Sequence, residues 1–241
     1  MGPGVDKLWL EVGGRPVIAH TWLRFVAARD VDEVVVVVRA GFEDAFTALA
    51  VEAGIRKPWR LVLGGAERQD SVWNGLAVLG PEIEVVAIHD GARPCVSGRL
   101  IADTLAAARD AGAAVAAQRV TDTIKESSDA TVITGHLDRT RLWAVQTPQT
   151  FRVEVIRRAL AEVRRRGLQV TDDTAACELI GQPVRLVESR EPNPKVTTPA
   201  DLDLIGLLLR SRVHPEVGPG GELPPSTALP APPPPLRLRR P

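Results

Sequence analysis

The run EVVVVV at positions 33–38 constrains this chain more than any other feature. Five successive β-branched valines without a polar break predict a strand buried on both faces. Shorter runs repeat the theme: RLVL at 60–63, EVVAIH at 84–89, AAVAA at 113–117 and VRLVES at 184–189. Between them, amphipathic stretches at 16–29, 42–53, 70–79, 97–111 and 154–166 predict helices. A last helix is expected to open with Thr198 as its cap, Pro199 at its first position and Asp201 in its first turn. Strand–helix alternation of this kind predicts an α/β domain on a mostly parallel sheet.

Composition removes several classes. Thirty basic residues balance thirty acidic ones, so the basic surface of a nucleic-acid binder is not expected. The two cysteines, Cys95 and Cys177, are too few for a disulfide framework and lack zinc-ligand spacing, which fits a reducing cytoplasm. The longest aliphatic runs are far too short for a membrane span, and no leader pattern opens the chain, so no membrane partner is expected. Ten of the twenty prolines fall in residues 211–241, which bounds the folded domain at 1–210 and predicts a disordered or polyproline tail. Only four of the thirty basic residues are lysines (Lys7, Lys57, Lys125 and Lys195), so a lysine at a special loop position merits scrutiny.

Residues 121–142 break the rhythm. They are polar yet contain TVIT and run into LWAV at 142–145, which predicts a β-hairpin arm projecting from the domain. An arm with no core of its own is expected to pack on a partner, most simply a second copy.

In an open α/β sheet, ligands bind beyond the carboxyl ends of the strands. Three loops there are rich in glycine, proline and charge: GGAERQDS at 64–71, DGARP at 90–94 and REPNPKVT at 190–197. They bring Gly64, Gly65, Arg68, Ser71, Asp90, Arg93 and Lys195 to one edge. Paired glycines admit a flat or anionic ligand to the backbone, and the basic side chains would hold phosphates. Each has a plainer reading: a tight turn for Gly64-Gly65, a surface ion pair for Asp90 and Arg93, a solvated Lys195, a packed His89, helix capping for Thr171 and Asp172. Cys95 is tied to no histidine by any motif. The chain lacks GxSxG, HExxH, CxxC and the GxxxxGK[ST] loop. Cations with one acid and no activated nucleophile suit transfer between phosphates. A phosphate nucleophile, with a second pKa near ~6, is already ionised at neutral pH. Catalysis then rests on positioning and charge stabilisation by Lys, Arg and Mg²⁺.

Taken in order, DKLWLEVGGRPVIAHT, GGAERQDSV, HDGARPCV, TDTIK, DRTRLWAVQTPQTF, TDDTAACE and NPKVTTPADL resemble the 2-C-methyl-D-erythritol 4-phosphate cytidylyltransferases. The resemblance runs from about Gly4 to Leu209 and implies a Rossmann-like nucleotidyltransferase fold. It implies the reaction of CTP with methylerythritol 4-phosphate, aided by Mg²⁺, to give CDP-methylerythritol and pyrophosphate. By that likeness Lys7 neutralises the triphosphate. Gly65 and Ser71 read cytosine, while Asp90 and Arg93 line the nucleotide and sugar-alcohol site. Thr147, Thr171 and Lys195 meet the substrate phosphate, with Lys195 also near the reacting centre. Thr123 and Arg139, on the arm, reach the neighbouring subunit's site, which makes the active unit a homodimer.

The likeness has one gap. Family members open with a buried strand and an A-A-G-x-G-x-R loop that wraps the triphosphate; here Met1 stands just past the place of that arginine. Either the start is assigned too far downstream or the chain is a truncated, inactive relative; both imply little activity from these 241 residues alone. Other readings keep the chemistry with another alcohol such as ribitol 5-phosphate, make the chain a non-catalytic dimeric binder of pyrimidine nucleotides, or make it the front half of a fusion.

Overall fold

A computed structural model describes residues 6–213. In chain order the elements are β1 (Glu11–Val12), β2 (Arg15–Pro16), α1 (Val17–Ala27), β3 (Val34–Val38), α2 (Glu43–Glu52), β4 (Trp59–Leu63), α3 (Arg68–Ala77), β5 (Val85–Ile88), α4 (Gly98–Ala111), β6 (Ala113–Arg119), β7 (Lys125–Glu126), β8 (Gly135–His136), β9 (Trp143–Arg152), α5 (Val153–Arg166), α6 (Asp173–Glu178), β10 (Arg185–Glu188) and α7 (Asp201–Val213). All five strands expected from aliphatic runs are present, each within a residue or two of its run.

The helices follow their apolar stripes. In α5, Val155, Ile156, Ala159, Leu160 and Val163 are buried at the i, i+1, i+4, i+5, i+8 spacing that lays one face on the sheet. Burying each large side chain contributes about 1.5–3 kcal/mol. Gly167, in the left-handed region at φ 62°, ends the helix. Ser97 caps α4 by accepting the Leu100 N–H at 3.2 Å. Lys57, singled out among the four lysines, donates to the carbonyls of Ala28 and Val31 just past α1, a cation at a helix C-terminus.

Helix α7 starts later than expected. Asp201, not Thr198, collects the free donors, accepting from the backbone N–H of Thr197 and of Thr198, both at 2.7 Å. Residues 198–200 form a turn before the helix. The helix also runs through residue 213, so the start expected for the tail, Ser211, is helical; residues 214–241 lie outside the described residues.

A four-stranded sheet has the order β10-β6-β9-β5. β10 lies parallel to β6, and β9 runs antiparallel to both β6 and β5, so the sheet is mixed. β9 is the strand that aliphatic patterning misses. Its sequence, WAVQTPQTFR, buries Gln146, Thr147, Gln149 and Thr150 and carries a proline, which argues against a central strand. A register shift between Val115 and Ala117 of β6 accommodates the residues around Pro148.

β3 and β4 form a separate parallel pair. The expectation that 33–38 is buried on both faces is therefore corrected: only Val38 is fully buried, and Val37 is 37% exposed. Among the described residues, both β3 and β5 have a second edge without a strand, and the two edges line one apolar slot of about 570 Å³. Trp22 and Phe25 of α1 wall it on one side and Leu76 and Leu79, in and after α3, on the other.

The arm is a hairpin, Lys125 opposite His136 and Glu126 opposite Gly135, standing clear of the buried clusters. Val132 and Ile133 at its tip are 62% and 65% exposed. No helix among the described residues is long and apolar enough to cross a membrane.

Candidate active site

The loop after β4 is shaped by space. A Cβ on Gly65 would sit 2.3 Å from the Cβ of Asp70, so only glycine fits; φ is not the reason, since neither Gly64 nor Gly65 has a positive value. The Gly64 N–H donates to the Val38 carbonyl at 2.8 Å, extending the β3–β4 ladder. The Gly65 N–H donates to Ser71 Oγ at 3.0 Å, and that hydroxyl donates to the Glu67 carbonyl at 3.2 Å. Glu67 and Asp70 form a reciprocal capping box that fixes where α3 begins.

Asp90, at the end of β5, is the centre of the second and third loops. Its Oδ2 accepts from Arg93 Nε at 3.2 Å and from Lys195 Nζ at 3.0 Å. Arg93 also donates to the Asn193 carbonyl at 2.8 Å, and the Val196 N–H to the Ala92 carbonyl at 2.8 Å, which ties the two loops together. Burial pushes the Asp90 carboxyl up, but the Lys195 and Arg93 charges outweigh it and hold it below the usual carboxylate range. With side chains only 13% and 19% exposed, Arg93 and Asp90 are not the surface pair of the plainer reading.

His89 is packed beneath them. Its Nε2 faces the Arg93 carbonyl at 3.2 Å and its Nδ1 faces Thr147 Oγ1 at 3.0 Å. A carbonyl only accepts, so Nε2 carries the proton and the Thr147 hydroxyl donates to Nδ1. Burial pushes the imidazole down to about 4, leaving it neutral at physiological pH. Thr147 Oγ1 in turn accepts the Asp90 N–H at 3.1 Å. Thr147 is thus a buried support of the Asp90 loop, its hydroxyl engaged inside the fold. Asn193, 2% exposed, donates to Gln146 Oε1 and to the Thr147 carbonyl at 3.2 and 2.9 Å.

Around α6, Asp172 is the cap, accepting the Ala175 N–H at 2.9 Å. Thr171 is exposed just before it and takes no part in capping. Gln149 of β9 accepts the Asp173 N–H at 3.0 Å and donates to Asp172 at 2.9 Å. Arg68, at the start of α3, donates to Asp173 Oδ2 at 2.7 Å.

Lys7 lies half-buried in a single turn of 3₁₀ helix, 7–9, which Asp6 caps through the Leu8 N–H at 3.1 Å. A Cβ on Gly91 would meet Leu8 Cδ2 at 3.3 Å, so this turn packs directly on the Asp90 loop. The structure therefore gathers Asp90, Arg93 and Lys195 along one rim, with Ser71 lining the same pocket as Asp90 and the turn that carries Lys7 packed beside the Asp90 loop through Leu8. Thr123 and Arg139 are exposed on the arm, where Arg139 folds back onto the Thr121 carbonyl. The thiols take no part. Cys95 is fully buried, and burial first, then Asp173 and Asp172, push the Cys177 thiol up to about 12.

Residues missed by patterning, Gln149 and Asn193, are buried polar groups partnered from strands and loops far away in sequence. The run QTPQT, polar where an apolar strand would be expected, is the one local sign of them.

An α/β fold with a cationic rim at the carboxyl ends of its strands, one carboxylate held ionised there and no activated nucleophile among the described residues is an arrangement suited to a nucleotidyltransferase. The family profile described as IspD, 2-C-methyl-D-erythritol 4-phosphate cytidylyltransferase, matches residues 1–211, and the chain belongs to that family. A relative of that name from Pelotomaculum thermopropionicum is 41% identical over 213 residues, 88% of this chain and 90% of its own length. One from Trichormus variabilis is 40% identical over 88% of this chain and 93% of its own. Among solved structures, the 4-diphosphocytidyl-2C-methyl-D-erythritol synthase of Anaerococcus prevotii superposes with a TM-score of 0.78 at 29% identity, covering 87% of this chain and 92% of its own. The 2-C-methyl-D-erythritol 4-phosphate cytidylyltransferase of Thermus thermophilus superposes with 0.73 at 36% identity, covering 85% and 94%.

Proposed function

We propose that this chain transfers a cytidylyl group from CTP to 2-C-methyl-D-erythritol 4-phosphate, giving CDP-methylerythritol and pyrophosphate in non-mevalonate isoprenoid synthesis. The observation that carries the reading is the meeting of Arg93 and Lys195 on Asp90, opposite a glycine loop that only Gly65 fits.

An oxygen of the acceptor's phosphate attacks the α-phosphorus of CTP. The bond from that phosphorus to the β-bridging oxygen breaks, and pyrophosphate leaves with the electron pair. The acceptor phosphate is ionised at pH 7, with a second pKa near ~6, so no general base is needed; neutral, buried His89 is not one. Lys7 and Lys195 offset the charge that builds on the phosphorus and the leaving group. Gly65 and Ser71 present backbone and hydroxyl to cytosine. Arg93 and Thr171 flank the sugar alcohol and its phosphate, and Thr147 acts from below by holding the Asp90 N–H.

The donor chemistry fits a divalent cation carried on the triphosphate. No group of three His, Cys, Asp or Glu among the described residues could cage a metal, whereas Mg²⁺ commonly takes one carboxylate plus phosphate oxygens and waters. Asp90, ionised and at the rim, would supply that carboxylate. Bound there, Mg²⁺ would neutralise phosphate charge.

Two further parts complete the reading. The exposed arm with Thr123 and Arg139 would reach a second copy, forming a homodimer whose sites each borrow from the partner. The slot between β3 and β5 would take the family's opening strand, parallel to both, delivering the A-A-G-x-G-x-R loop between Ser71 and Asp90. Paired strand edges and apolar walls on both sides of the slot support a strand there. Two buried cysteines outside any disulfide accord with a cytoplasmic setting.

The test is a competition assay: CTP with equimolar methylerythritol 4-phosphate and ribitol 5-phosphate, products resolved by mass. The reading expects CDP-methylerythritol in at least tenfold excess; equal products, or an excess of CDP-ribitol, would overturn the acceptor assignment.

A further inference from the structure

The loop that begins α3 grips the segment leading into α6 at two independent points. Gln69, with one amide, donates to the Leu168 carbonyl at 3.0 Å and accepts the Val170 N–H at 3.1 Å. Arg68 donates to Asp173 Oδ2 at 2.7 Å. Between these anchors, residues 168–173 are held in a short span that carries Thr171 on its exposed side. The Asp173 side chain is fully buried, and its Oδ1 has no hydrogen-bond partner among the described residues. Arg68 is therefore the cation that makes this buried carboxylate tolerable, since an ionised acid away from water needs a partner. Gln149 of β9 fixes the same helix start from below, through the Asp173 N–H and the Asp172 carboxylate.

The two sides of this clasp are different parts of the site. Arg68 and Gln69 lie between Gly65 and Ser71, the loop read above as the cytosine reader. Residues 168–173 carry Thr171, read above as a contact to the acceptor's phosphate. We propose that Arg68 and Gln69 are positioning residues that dock the acceptor-phosphate segment onto the nucleotide loop, so that acceptor affinity depends on the clasp while nucleotide affinity does not. The inference rests on the functional reading above. Its chemistry is ordinary: a bidentate amide and a charge-assisted hydrogen bond hold one loop against another, and a displaced Thr171 costs contact to an anionic group without touching the base pocket.

Steady-state kinetics of the full 241-residue chain would be measured for Arg68→Gln and Gln69→Ala, beside calorimetric titrations of CTP and of methylerythritol 4-phosphate. The proposal expects the acceptor KM and Kd to rise at least tenfold while those for CTP stay within twofold. Arg68→Gln leaves a buried acid unpaired and can unfold the protein. Gln69→Ala, at a half-buried position, and the double variant Arg68→Gln with Asp173→Asn, which keeps an uncharged hydrogen bond, guard against that. The double variant should recover at least threefold of the acceptor affinity lost by Arg68→Gln. Unchanged acceptor constants, or equal loss for both ligands, would overturn the proposal. Failure of the wild-type chain to bind methylerythritol 4-phosphate at all would instead count against the functional reading.

Discussion

Asp90 and His89 stand side by side, and their surroundings set how the molecule responds to acid. Burial holds His89 neutral in the folded protein down to about pH 4, whereas an unfolded imidazole takes its proton near 6.5. Between those values the unfolded state binds the extra proton, so stability is full above pH 6.5 and falls as the pH drops toward 4. His20, lowered by its own burial, acts in the same sense. Asp90, held low by its cations, extends the loss below the ordinary carboxylate range. Asp173, raised chiefly by burial, works the other way, since the folded state takes up that proton first. The His89 contribution is on the order of 2 kcal/mol by pH 5, enough to lower Tm by roughly 4–8 °C. Thermal melts between pH 7.5 and 5 check this, and a flat profile would show that His89 is not held neutral. At this scale the sequence makes Asp90, Arg93 and Lys195 legible, because each follows an aliphatic strand into a loop. It leaves Gln149, Asn193 and Asp173 illegible, because their value comes from partners 23 to 105 residues away.

Strand β9 and the arm that precedes it show where element patterning succeeds and where it stops. The arm is readable as polarity without helical period between two aliphatic strands. β9 is not, because it stores hydrogen-bonding groups inside the sheet instead of apolar side chains, and its proline reads as a breaker. The arm's exposure gives a prediction of its own. If Arg139 serves the partner's site, Lys195→Ala and Arg139→Ala should each be at least a hundredfold slower alone. Mixing them should restore up to about a quarter of wild-type activity through hybrid dimers. No recovery on mixing, in a sample shown to exchange subunits, would mean that each chain uses its own arm residues.

The molecule as a whole is organised by a sheet that comes in two pieces. The run at 33–38 is written for burial on both faces, yet β3 ends half-buried because the position beside it holds no strand among the described residues. That mismatch between sequence and burial, the facing edge of β5 and the apolar slot between them all support the proposed strand, which would complete the sheet and carry a phosphate-binding loop to the Asp90 rim. The sequence announces five of the strands and the sense in which they run; the division of the sheet is visible only once the edges are placed in space.

Pyrophosphate release from CTP and methylerythritol 4-phosphate tests this most directly, comparing the 241-residue chain with one bearing an apolar strand and an A-A-G-x-G-x-R loop ahead of Lys7. The account expects the extended chain to release pyrophosphate at least tenfold faster, one for each CDP-methylerythritol formed, and to melt at a higher temperature. Equal rates from the two, or no CDP-methylerythritol from either, would contradict it.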